Sequence, residues 1–98
     1  MQKIYKYELD IRDEQEIMLP KYFIPLSVGT QPTSPQSIVD KFLGAKPVFW
    51  ALVNPSEEQV KVKIFTFGTG QALSWNDLTY LGTYQVGDFV GHVFFKQV

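Results

Sequence analysis

The sequence predicts an all-β fold, a small antiparallel sandwich or partly open barrel of about six to seven strands with at most one short helical turn. Three observations lead there. Segments of alternating polarity recur along the chain, clusters of Gly, Pro and Asn separate them, and almost no stretch keeps the apolar spacing of a helix. The 98 residues suit one domain. With 45% hydrophobic, 19% charged and 15% aromatic residues the composition is globular, and the rings fill a thin two-layer core efficiently.

Taken in order, Gln2 to Ile11 places Tyr5, Tyr7, Leu9 and Ile11 on one face and Lys6, Glu8 and Asp10 on the other, the period of a half-buried strand. Arg12, Asp13 and Glu14 form a polar turn, and Gln15 to Leu19 extends again until Pro20, so the two segments read as a β-hairpin. Tyr22 to Thr30 is a third strand. Pro25 inside it has no N–H for a ladder, which assigns it to an edge or a bulge. Gln31 to Ser37 is a loop by composition. Ser37 to Gly44 fits one or two helical turns between an N-cap serine and a terminating glycine, although β-branched Ile38 and Val39 suit a strand equally.

Pro47 to Val53 is the most apolar run and predicts a central strand buried on both faces, with Trp50 in the core. Asn54 to Glu58 is a turn, and Gln59 to Phe67 alternates again, so these two strands are expected to form a hairpin. Gly68-Thr69-Gly70 breaks the second strand, Ser74 to Leu78 reads as a turn or 3₁₀ segment, and Thr79–Val86 with Phe89–Phe95 makes a last hairpin joined at Gly87-Asp88. The whole reads as a single β domain over residues 1–98 with an insertion-like loop at 31–46.

Several function classes are disfavoured by bulk properties. A net charge of −1 argues against a general nucleic-acid binder, which needs a basic face to displace counterions. The absence of cysteine removes disulfides and thiolate chemistry. The opening MQKIYKYELD has no apolar signal core, and no run approaches the ~20 apolar residues of a membrane span, so a cytoplasmic location is expected.

The segments KIYKYEL, PVFWALVNP, FGTGQ and YLGTYQVGDFVGHVFF together resemble a family of small phage and prophage proteins of unknown function. The resemblance spans nearly the whole chain and departs from the family pattern between Gln31 and Lys46, where members have a shorter connection. It implies a phage or mobile-element context and carries over no catalytic residues.

Each constellation of functional residue types also has a plainer role. His92, the one histidine, shares a strand face with Val90, Phe94 and Lys96. As a general base it needs a carboxylate partner, and Asp88 lies about 13 Å away along an extended strand, so a packed or surface histidine is favoured. One histidine does not make a zinc site, and Asp10, Asp13 and Glu14 lack the spacing of a calcium loop. Neither a metal nor a cofactor is expected. Lys61 and Lys63 followed by Phe65 and Phe67 resemble a basic strand with aromatic platforms for single-stranded nucleic acid. An edge strand guarded by lysines is the favoured alternative. Gly68, Thr69 and Gly70 invite a phosphate-loop reading for a small molecule or nucleotide, but no Walker or Rossmann pattern follows, and a tight bend suffices.

These readings converge on a non-enzymatic accessory protein that binds a macromolecule, a host protein in the phage context. Ile38, Val39, Phe42 and Leu43 are the candidate partner-binding residues, since a purely solvent-facing loop has no reason to keep four large apolar side chains together; a short amphipathic turn that folds back over an open end of the sheet is the favoured alternative. The last strand offers Phe89, Val93 and Phe95 on one face and Val90 and Phe94 on the other. One thin core covers only one of these faces, which suggests a homodimer.

Overall fold

The computed structural model describes residues 1–32, 45–74 and 76–98. Among them run seven strands, β1 (Lys3–Glu8), β2 (Glu14–Pro20), β3 (Ile24–Pro32), β4 (Ala45–Val53), β5 (Gln59–Gly68), β6 (Thr79–Val86) and β7 (Phe89–Gln97). They form two antiparallel sheets, ordered β1-β4-β3 and β2-β5-β7-β6, which face one another as a sandwich rather than closing into a barrel. The all-β expectation holds. No helix among the described residues is long and apolar enough to cross a membrane.

Strand alternation decides which side chains meet between the sheets. β4 sends Phe49, Ala51 and Val53 inward, β5 sends Val62 and Ile64, and β7 sends Val93, each at most 1% exposed. Tyr7 and Val28 stand beside Phe49 across the ladders from β1 and β3 and pack against this core. Leu9 and Leu19, also buried, close its ends.

Pairing departs from the sequence reading in two places. The first two strands are no hairpin: β1 pairs with β4 and β2 with β5, in different sheets. The connection crosses the sandwich because Leu9 is buried and donates its backbone N–H to the Pro47 carbonyl at 3.0 Å, while the Gln15 side chain bonds the Asp10 N–H and C=O at 3.0 and 2.8 Å. Likewise β4 and β5 do not form the expected hairpin. The Asn54–Glu58 turn, with Asn54 capping Ser56 at 3.0 Å, carries the chain from one sheet to the other. An apolar run next to an alternating one fits an arch between layers as well as it fits a hairpin, since both bury the same faces.

β4 is central in its sheet, but only partly buried on both faces. Val48 is buried on the outer side, whereas Trp50 and Leu52 there are half-buried, so the core aromatic is Phe49 and not Trp50. β3 is an edge strand with a register shift between Pro25 and Ser27, and Pro25 occupies both of the situations expected for it. Gln31 and Pro32 pair with Lys46 and Ala45, so the ends of the predicted loop belong to strands. The expected helical or strand segment at Ser37–Gly44, and with it Ile38, Val39, Phe42 and Leu43, lies outside the described residues. The last hairpin is as expected: Val86 faces Phe89, and Gly87 takes the positive φ of 59° that a primed two-residue turn needs.

β7 lies between β5 and β6, and a ring from each neighbour lies against Phe94 on its second apolar face. Phe94 is 3% exposed, with the rings of Phe67 and Tyr80 against it at 5.7 and 5.3 Å. On the inner side Phe95 meets Phe23 at 5.3 Å. Tyr84 is buried there as well. Burial pushes its phenol pKa up, and the buried Thr66 hydroxyl pulls it partly back, yet among the described residues the Tyr84 hydroxyl has no partner in hydrogen-bonding geometry.

Candidate ligand pocket

The outer face of the four-stranded sheet carries the alternate set of side chains. On β5 these are Lys61, Lys63, Phe65 and Phe67, which share one face as their spacing requires. β5 is not an edge strand, because β2 and β7 flank it, so the lysines do not guard an open edge. They pair with β2 instead, Lys61 with Glu16 at 3.5 Å and Lys63 with Glu14 at 3.4 Å. Each of these two lysines therefore has a carboxylate beside it on the exposed face.

Register brings the remaining residues together. Phe67 and Thr83 both stand opposite His92, and Tyr80 stands opposite Phe94. A register shift between Tyr80 and Gly82 inserts one residue, so Tyr80 and Thr83, three positions apart, share the outer face. Above this floor the chain turns sharply after β5. The Gln71 N–H donates to the Gly68 carbonyl at 3.1 Å, and Gly70 at the third position of that turn has φ 88°, the left-handed value favouring glycine. The Gln71 side chain closes the turn from the other side, its Oε1 accepting from the Gly68 N–H at 3.0 Å.

Floor and turn enclose a pocket of about 480 Å³ lined by Phe67, Gly68, Thr69, Gly70, Gln71, Leu73, Tyr80, Thr83, His92 and Phe94. The Gly68–Gly70 turn and His92 thus line the same pocket. The His92 Nε2 lies 2.8 Å from the Thr69 hydroxyl and Nδ1 lies 3.0 Å from the Thr83 hydroxyl, which in turn contacts the Tyr80 hydroxyl at 2.5 Å. Asp88 takes no part in this chain. Both ring nitrogens are held by hydroxyls, an arrangement that fixes the ring plane.

Two features bear on what the pocket can do. Among the described residues, none that lines the pocket is Asp, Glu, Lys or Arg. Two backbone N–H groups of the glycine turn, those of Gly68 and Gln71, are already used within the turn, which takes donors away from any phosphate cradle. Among the described residues no group of three His, Asp or Glu side chains is placed to hold a metal. Sequence reasoning reached His92, Phe67 and the glycine turn separately and missed Tyr80, Thr83, Gln71 and Leu73. The inserted residue at Leu81 hides the shared face of Tyr80 and Thr83, since simple alternation puts them on opposite sides.

A family model described as a domain of unknown function (DUF7352) matches residues 1–98. No curated protein matches the chain, and no solved structure does.

Proposed function

Since the chain belongs to the DUF7352 family, a domain of unknown function, we propose on the geometry of this member that it is a non-enzymatic binding module whose pocket at the glycine turn receives a small ligand. The carrying observation is the hydroxyl–imidazole chain Thr69–His92–Thr83–Tyr80 laid across an aromatic floor. Apolar walls with a few converging polar groups are the usual composition of ligand sites. The binding role is supported over catalysis because, among the described residues, the only histidine is hydrogen-bonded to two threonine hydroxyls and to no carboxylate. The resemblance to small phage and prophage proteins supports an accessory role in a host cytoplasm.

The three-stranded sheet favours a second reading, a macromolecular contact. On its outer face Ile4 (64% exposed) and Ile24 (49%) flank Leu52, and Leu26 is 49% exposed at the neighbouring bulge. A second copy of the chain is the occupant this reading names, and a host protein is the alternative in the phage context.

One pair of variants separates the readings. Leu73→Arg puts a charge at the pocket wall from an exposed position, and Ile24→Lys does the same on the other sheet. In a thermal-shift panel of small molecules, at least one compound should raise the Tm of the wild type and of Ile24→Lys but leave Leu73→Arg unmoved. A panel without such a compound defeats the pocket reading. Light scattering that gives a dimer mass for the wild type and a monomer for Ile24→Lys supports the second, and a monomeric wild type removes it.

A further inference from the structure

We infer that the pocket selects an uncharged, flat heterocycle presenting one hydrogen-bond donor and one acceptor, an inference that rests on the binding-module reading above. Charge is the first filter. Among the described residues no Asp, Glu, Lys or Arg lines the site, and an anion or cation entering such a lining loses hydration and gains no countercharge, which is costly. Phosphate is disfavoured further, because the Gly68 and Gln71 N–H groups are committed to their own turn. Shape is the second. The Phe67 and Tyr80 rings stand at 76° and 61° to the Phe94 ring, so the aromatic side of the pocket presents ring edges and faces together, and a flat ring meets them in the edge-to-face and offset contacts that aromatic pairs prefer.

Hydrogen counting supplies the third filter. With the imidazole neutral, the chain holds four polar hydrogens, one each on Thr69, His92, Thr83 and Tyr80, and three links consume three of them. One hydrogen is left over, and it sits at one end of the chain while the other end offers only lone pairs. If His92 carries its proton on Nε2, the ring donates to Thr69, Tyr80 donates to Thr83, and the spare hydrogen is on Thr69. If the proton is on Nδ1, every link reverses and the spare hydrogen is on Tyr80. Both ends line the pocket. A bound ring that brings a donor to one end and an acceptor to the other satisfies the chain, and it fixes the tautomer of His92 by doing so. A carbonyl alone or an N–H alone leaves one end unmet.

The single histidine makes the test direct, because a ring-¹⁵N label reports His92 and nothing else. 2-Pyridone, neutral and flat with an adjacent N–H and C=O, serves as probe, with toluene as the apolar control and benzoate as the charged one. 2-Pyridone should bind at least about tenfold more tightly than either control and should move the Nδ1 and Nε2 signals apart toward a single tautomer. Thr69→Val, a near-isosteric change at an exposed position, should weaken 2-pyridone about tenfold and leave toluene unchanged. Equal binding of the three probes, or histidine signals that stay fixed at saturation, would overturn the inference. A charged compound whose thermal shift is abolished by Leu73→Arg would overturn it as well while leaving the binding-module reading intact. If neither 2-pyridone nor any panel compound binds, both fall.

Discussion

Phe49→Ala should lower stability by about 3–5 kcal/mol, the largest effect expected of any single truncation in this chain. Phe49 is fully buried at the middle of β4. Its ring meets Tyr7 at 5.9 Å and Phe23 edge-on at 6.4 Å, and Phe23 then reaches Phe95 of the opposite sheet at 5.3 Å. Removing the ring leaves a cavity on both sides of the inter-sheet seam, and the rigid ladders of β1 and β3 cannot move in to fill it. For a domain of this size the loss is worth at least about 10 °C in Tm. Trp50→Ala, on the outer face of the same strand, should cost distinctly less, because Trp50 is only half-buried. Thermal melts in which Trp50→Ala is the more damaging of the two would show the faces of β4 to be assigned the wrong way round.

Gly91→Ala should destabilise by about 1–3 kcal/mol or more, against the usual trend for glycine in a strand. Where the backbone accepts it, Gly→Ala stabilises by about 0.4–1 kcal/mol through the unfolded chain. Space decides the sign here. A Cβ on Gly91 would stand 2.6 Å from Tyr84 Cζ and 2.9 Å from its hydroxyl oxygen. The tyrosine ring cannot swing aside, since it is 3% exposed and packed against Phe89 at 6.0 Å. Denaturant melts of a double-mutant cycle isolate the clash. In a Tyr84→Leu background the added methyl should cost little or become favourable, giving a coupling of roughly 0.5–3 kcal/mol. An alanine that costs the same with and without the Tyr84 ring would mean that the contact does not govern the site.

Most of the strand content was legible because alternation is local. Lys61 and Lys63 declare the solvent face of β5, Pro25 declares an irregular edge, and Gly87-Asp88 declares a tight hairpin, each from neighbours within a few positions. Pairing was not legible, because Tyr7 meets Phe49, and Ile17 meets Val62, through contacts that leave no local trace. The pocket suffered from the same limit. His92 was visible as a lone titratable group on an apolar face, but Thr69 and Thr83 reach it from another strand end and a neighbouring strand, and the inserted residue near Leu81 inverts the parity that places Thr83 beside it.

The crossing of the chain between layers also has a kinetic consequence. In both sheets an early strand waits for a partner about fifty positions further on, Lys3 for Val53 and Glu14 for Phe65, so loop-closure entropy is spent before the reward of pairing arrives. Among the described strands, only β3 with β4 and β6 with β7 pair with the next in order. Such a high contact order places refolding in the millisecond-to-second range rather than among microsecond folders. Stopped-flow refolding followed by tryptophan fluorescence reads this directly, and completion within the instrument's dead time would contradict it. Until β4 and β5 arrive, the chain holds β1 and β2 as unpaired strands, and during that interval, more than in the finished sandwich, its exposed edges are open to a neighbouring molecule.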